Sequence, residues 1–255
     1  MSSAKEDSGG GRGRAAEPIW ARPEPGTRRP RHTRAQIAET ALAIADAEGI
    51  EAVSMRRVAN ELGAGTMTLY HYVRSKHDLV ALMEDAVMAE LLVPGDELPG
   101  GWREALTAIA RRTRQTFIRH PWAIGGMSGS GMSPHAMHHF EQSLAAVAGT
   151  GLGPEARLEL IAMVDDYVAG FALKTDLEPG LESVPPAAAE AVAAYIDEQL
   201  ATGAYPHTRA LLGDGDRFKA LTGMAAASSD DERFERGLAR LLDGVAMELE
   251  RRTPS

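Results

Sequence analysis

The sequence contains no cysteine, so disulfides and thiolate metal ligands are both excluded. No uninterrupted apolar run approaches the ~18 residues that a membrane-spanning helix needs. Residues 1–30 hold no apolar core of the signal-peptide kind. These absences predict a soluble, cytoplasmic chain. The alternating, β-branched runs that mark strands are missing as well, which points to an all-α fold. Familiar catalytic spacings are also lacking. No Glu-x-x-His pair exists for a helical di-iron site. Gly129-Ser130-Gly131 falls short of a nucleophile elbow, and the glycines of Gly149, Gly151 and Gly153 follow no strand. The chain is expected not to be an enzyme, and no cofactor is expected.

With 255 residues, 44% of them apolar and rich in alanine and leucine, the chain can bury the cores of one small and one larger domain. Its net charge of −9 is unevenly divided. Residues 1–78 hold 12 Lys and Arg against 10 Asp and Glu, leaving 15 basic and 26 acidic residues for the remainder. A mildly basic head on an acidic body is compatible with binding nucleic acid through the head alone.

That head carries the most informative pattern. Met55, Val58, Ala59 and Leu62 recur at helical spacing and form one apolar stripe. Gly63 follows at once, where a left-handed turn suits glycine. The next helix, over 66–72, buries Leu69 and leaves Thr66, Thr68, Tyr70, His71 and Tyr72 for its other faces, with Val73 continuing the apolar spacing. Ser75 then precedes Asp78 in a capping pattern that starts another helix. Two short helices around a glycine turn, the second exposing hydrogen-bonding side chains, match a helix-turn-helix DNA reader.

The run Leu62-Gly63 through Thr68-Leu69-Tyr70, followed by Val73, Lys76 and Leu79, resembles the DNA-binding domain of the tetracycline-repressor (TetR) family. Upstream, Thr33-Arg34, Ala41-Leu42-Ala43 and Gly49 fit the first helix of that domain, so the likeness covers about 33–80. A looser likeness to the C-terminal domain of the tetracycline repressors runs through Trp102, Pro134 to Leu144, and Phe234 to Leu238. The resemblance implies a homodimer that binds double-stranded operator DNA and responds to an unknown small-molecule effector. It places DNA contacts on Arg34, Ser54, Arg56, Thr66, Met67, Thr68, Tyr70, His71, Tyr72 and Lys76. Met67 stands where the tetracycline repressor has proline, so specificity does not transfer. Each residue type suits its place: Arg56 can fork onto guanine O6 and N7, Thr66, Thr68 and His71 can bond base edges or phosphates, and Tyr70, Tyr72 and Lys76 suit phosphate. Tyr70 and Tyr72 can equally be partly buried against neighbouring helices.

Three parts follow along the chain: a disordered basic extension over 1–32, a helix-turn-helix domain over 33–80, and a helical ligand-binding and dimerisation domain over 81–255. Arg22, Arg28, Arg29 and Arg31 make the extension either a DNA-following arm or a solvated tail. Helices are expected over about 33–48, from 55 to the glycine turn, 66–72, from Ser75 to near Pro94, then 102–119, 134–149, 154–176, 187–202 and 230–251. Residues 203–229 read as loop with one short helix. Leu158, Ile161, Asp165, Val168 and Ala172 keep one face of the 154–176 helix, and Phe234, Leu238, Leu241, Leu242, Val245 and Leu249 one face of the last. The family likeness assigns these two helices to a dimer interface; periodicity alone allows them to cover their own core.

Phe117, Trp122, Met127, Met132, Met137, Phe140, Met163, Tyr167 and Phe171 are the candidates for an adaptable, apolar effector pocket, with ordinary core as the alternative. His135, His138 and His139 have the spacing of a helical metal site, but surface histidines near a helix start are commoner and no metal is expected. Tetracycline itself is not implied. Its drug-binding histidine falls on Leu92, and its metal-binding histidine falls within Gly125 to Gly131, where there is none.

Overall fold

The computed structural model describes residues 17–25, 32–125, 132–177, 185–226 and 230–252. Met127 and Arg28, Arg29 and Arg31 therefore lie outside the described residues. All regular structure among the described residues is helical. The helices are α1 (Arg34–Glu48), α2 (Met55–Glu61), α3 (Thr66–Tyr72), α4 (Lys76–Leu91), α5 (Trp102–Arg119), α6 (Pro134–Val147), α7 (Pro154–Leu177), α8 (Pro186–Ala201), α9 (Pro206–Leu212), α10 (Arg217–Ala226) and α11 (Asp230–Arg252). The stretch expected to be loop with one short helix thus holds two, α9 and α10. They pack on α8 and bury Leu200 and Leu212, apolar anchors too widely spaced to show a period in the sequence. The chain divides into two compact units between Ala86 and Val87, within α4, later than the expected break at 80.

In the first unit, α1 starts with a capping box. Thr33 Oγ1 accepts the Gln36 amide at 3.1 Å while Gln36 Oε1 accepts that of Thr33 at 3.0 Å. Its inner face, Ile37, Ala41, Leu42, Ile44 and Ala45, joins Met55, Val58 and Ala59 of α2, Leu69 of α3, and Leu79 and Met83 of α4 among the buried residues. Residues 17–25 depart from the expected disorder. They form a strap with a turn at Ile19–Ala21, and Ile19 is 1% exposed. Arg34 holds the strap by donating to the carbonyls of Ile19 (3.0 Å), Arg22 (2.6 Å) and Pro23 (3.2 Å), and its Nε donates to Tyr72 O (3.2 Å). Arg22 in turn grips Asp78 through both guanidinium nitrogens, one at 3.0 Å. These carbonyls and a carboxylate on one pair of arginines explain why a Pro-rich stretch is ordered here.

In the second unit, α5, α6, α7 and α11 share a core of Leu106, Ala110, Phe117, Val147, Leu160, Ile161, Val164, Val168, Ala172, Phe234, Leu238 and Leu242. Arg114 is buried in it, its guanidinium 4.9 Å from the Phe234 ring centre and 5.4 Å from that of Phe171, with Asp231 at 2.7 Å. The Tyr167 hydroxyl donates to Phe234 O at 2.9 Å, directly over Gly237, where an added Cβ would overlap it. The C-terminal end of α4 is held as well. Glu90 O accepts Arg112 Nε at 2.6 Å, the Glu90 carboxylate takes Arg119 at 2.8 Å, and the Gln142 amide brackets Val93 N (3.1 Å) and O (2.7 Å).

Burial works to raise the Asp78 carboxyl, but the Arg22 guanidinium and the Arg74 amide outweigh it and hold the group below its ordinary 3.8. A carboxyl that titrates lower in the folded than in the unfolded chain stabilises fully above 3.8 and loses that contribution as pH falls through its folded value. Asp78→Asn is expected to cost roughly 3 kcal/mol at neutral pH. In urea melts, the gap to the wild type should narrow as pH drops below the carboxylate range. Gly237→Ala is expected to destabilise by about 1–3 kcal/mol through overpacking against Tyr167, more than alanine's helix propensity returns. A melt with unchanged or raised stability would contradict that close approach.

Candidate nucleic-acid interface

The reading head is built around α2 and α3, which pack on one another. Ser54 caps α2 by accepting the Arg57 amide at 3.2 Å, so its hydroxyl already serves the helix start. At the turn, Gly63 takes a φ of +61°, and Ala64 N reaches back to Ala59 O at 2.9 Å. A side chain at Gly63 would meet no neighbour, so glycine is favoured there by backbone conformation alone. The α3 helix then buries Leu69, Tyr72 and Val73, fixing which of its faces is outward.

Met67 is 75% exposed and Tyr70 42%, and Thr68 and His71 are exposed beside them, while Thr66 is half-buried. Arg56 on α2 and Lys76 at the start of α4 are exposed, and Arg57, by contrast, is paired with Glu48 at 2.8 Å. Two residues of the expected contact set are corrected. Tyr72 is 8% exposed and counts among the buried residues, and Arg34 at the start of α1 donates to its carbonyl. Arg34 is half-buried and committed to four carbonyls, so its donors serve the strap. Arg22, expected in a basic arm, is committed to Asp78. The exposed Arg74 and His77, at the junction of α3 and α4, add basic character that the motif did not single out. Ser75 caps α4 by accepting the Asp78 amide at 3.0 Å, as the pattern predicted.

The eight described effector candidates lie in different surroundings. Phe117 lies in the core and Phe140 is half-buried on α6. Trp122 meets His120 edge-on at 6.3 Å. Tyr167 and Phe171 stack around Phe234 and Arg114. Met132, Met137 and Met163 are exposed at 55%, 48% and 38%, since each falls on the outward side of its segment. A separate open groove of 530 Å³ lies between residues 92–98 and α6, lined by Leu92, Pro94, Leu98, His138 and Glu141, and by none of the nine. His135 and His138 contact edge-on, while His139 is buried, so the three histidines do not share a face.

The expected partner faces of α7 and α11 resolve similarly. Ile161, Val168, Ala172, Phe234, Leu238 and Leu242 are buried in their own core. What these helices leave outside is Leu158, Met163, Leu173 and Met247.

Comparison with known proteins agrees with this geometry. Residues 37–83 match the family profile for bacterial regulatory proteins of the tetR family, and residues 94–249 match that for the tetracyclin repressor-like C-terminal domain. The chain is 36% identical to the HTH-type transcriptional repressor DrrR1 of Streptomyces coeruleorubidus, over 94% of this chain and 88% of that protein. Apo ActR of Streptomyces coelicolor is similar in structure, with a TM-score of 0.67 and 26% identity, covering 88% of this chain and all of ActR. ActR in complex with actinorhodin gives a TM-score of 0.64 at 28% identity, over 86% and 98% of the two chains. No described helix is long and apolar enough to cross a membrane. With a glycine-turned pair of helices exposing its polar face in the first unit and a helical body matching across 94–249, the chain belongs to the tetR family of bacterial transcription regulators.

Proposed function

We propose that the protein is a cytoplasmic, homodimeric repressor that binds a palindromic operator and leaves it when a small, largely apolar molecule enters the helical body. It regulates rather than catalyses. The observation that carries this reading is the exposed face of α3, where Met67, Thr68, Tyr70 and His71 stand clear of a core closed by Leu69, Tyr72 and Val73. Such a face supplies donors, acceptors and a methyl group for the edges of a major groove, with Arg56 and Lys76 beside it for guanine and phosphate. One seven-residue helix spans too few base pairs for an operator, so two copies on two half-sites are required. The apolar side chains that α7 and α11 leave exposed, Leu158, Met163, Leu173 and Met247, offer a second copy its contact. A repressor-like relative in DrrR1 and ligand-bound ActR support release by a small molecule.

The α4 helix provides the route. It begins at the cap that follows the reading helix and ends under Arg112, Arg119 and Gln142 of the body, so a ligand that shifts α5 or α6 draws on the end of α4.

Selection of random duplex DNA by the purified protein should return a palindrome with two half-sites. Recovery of no enriched sequence would favour a helical interaction protein whose helix-turn-helix is scaffold. On the selected site, Arg56→Ala is expected to relax one base position and cost about 1–3 kcal/mol per half-site. Lys76→Ala should weaken selected and random DNA alike and lower the salt slope by about 1. Indistinguishable behaviour of the two variants on the two DNAs would contradict this assignment.

A further inference from the structure

The strap formed by residues 17–25 is bonded to the ends of three helices of the first unit. The Glu24 carboxylate accepts the Arg34 amide at 3.0 Å and so completes the start of α1. The Arg34 side chain links the strap to the reading helix. Its Nε donates to Tyr72 O, the last carbonyl of α3, while its terminal nitrogens donate to the carbonyls of Ile19, Arg22 and Pro23. Arg22 carries the strap on to α4, where both its terminal nitrogens donate to the Asp78 carboxylate. The same carboxylate accepts the Arg74 amide at 3.0 Å, which ties down the turn between α3 and α4.

The α3 helix needs such fastening. It has seven residues, about two turns, and no side chain caps its start at Gly65. A helix that short is not stable by its own bonds, so its pose is set by what it is attached to. Both routes from the strap end within residues 72–78, the stretch from the last turn of α3 to the first turn of α4. Reading a base edge demands close placement, because a hydrogen bond weakens steeply with distance and angle. Attraction to phosphate is less exacting, since charge acts over a longer range.

We propose that the strap is a specificity element of the reading head, and that Arg22 and Arg34 are positioning residues that hold α3 in the pose that reads base edges without touching DNA themselves. The inference rests on the reading of the chain as an operator-binding repressor and adds a part that lies outside the helix-turn-helix. Arg22 is the only cation of residues 17–25. Its side chain is 9% exposed and its charge is met by Asp78, so loosening the strap removes no charge that serves phosphate. Arg34 has used four of its five N–H groups within the fold. The exposed Arg74, Lys76 and His77 keep their places on the surface of the turn and supply the attraction that any duplex would feel. Loss of the strap therefore lowers discrimination between sequences and leaves general affinity for DNA in place.

The test compares the full-length wild type with Arg22→Met and Arg22→Lys at a temperature where melts show each to be folded. Affinity is measured for the selected operator and for random duplex DNA across salt, and amide hydrogen exchange over 66–78 is set against that over 36–48. Arg22→Met should bind the operator roughly tenfold more weakly, the order of one lost base contact, with affinity for random DNA and the salt slope unchanged. Its exchange should quicken over 66–78 more than over 36–48. Arg22→Lys should recover only part of the loss, because an ammonium is a single point of contact and cannot make two parallel bonds. If Arg22→Met weakened both DNAs alike and flattened the salt slope, Arg22 would be a phosphate ligand and the proposal would be overturned. A lowered melting midpoint with an unchanged ratio of operator to random affinity would make the strap a stabilising element only, and would overturn it too. Should Arg22→Met fail to fold, the same ratio measured on Arg22→Lys decides. A wild type that selects no operator would remove the repressor reading itself; equal quickening over the two stretches would then overturn the strap's hold on α3, and quickening confined to 66–78 would support it.

Discussion

An α-helix leaves its last carbonyls and first amides without partners, and its ends must be completed from elsewhere. In α4 the first amides are met locally, where Ser75 Oγ accepts from Asp78, and the last turn is met by groups distant in sequence. Its start holds Asp78, gripped by Arg22 and bonded to the Arg74 amide, while its end offers Glu90 and Val93 to Arg112, Arg119 and Gln142. The first set of bonds fixes where α3 ends and α4 begins. The second makes the carboxyl end of the helix part of the body.

The N-terminal strap has the same logic. Arg34 gathers four carbonyls, three from the strap and one from Tyr72 at the end of the reading helix. A guanidinium has five donors in a fixed fork, which suits it to several acceptors at once, and a lysine at this position would not replace it. Arginine in this head therefore divides into two uses. Arg22 and Arg34 hold the fold, whereas Arg56 and Arg74 remain exposed and available to an anionic duplex.

The core of the body is apolar and closed around Phe234 and Arg114. The sequence reading placed an effector pocket on aromatics and methionines, because large apolar side chains advertise themselves. Of those, Phe117, Tyr167 and Phe171 join or pack against that core, whereas Met132, Met137 and Met163 are exposed.

Local order was legible from the sequence wherever one segment determines its own state. The stripe Met55, Val58, Ala59, the turn at Gly63 and the cap at Ser75 specified the helix-turn-helix, because capping, helical period and a left-handed φ act within a few residues. Family membership followed from the same stretch. Choices between segments were not legible there. Arg34 read equally well as a DNA contact, and Tyr72 as an outward ring, until three-dimensional neighbours claimed them. Likewise, periodicity gave α7 and α11 an apolar face, but only packing decided that Ile161, Val168 and Leu238 are interior and that Leu158 and Met247 are left outside. The physical reason is common to all of these: a side chain's propensity is set by its own chemistry, whereas its partner is set by whichever distant carbonyl, carboxylate or ring the folded chain brings within reach.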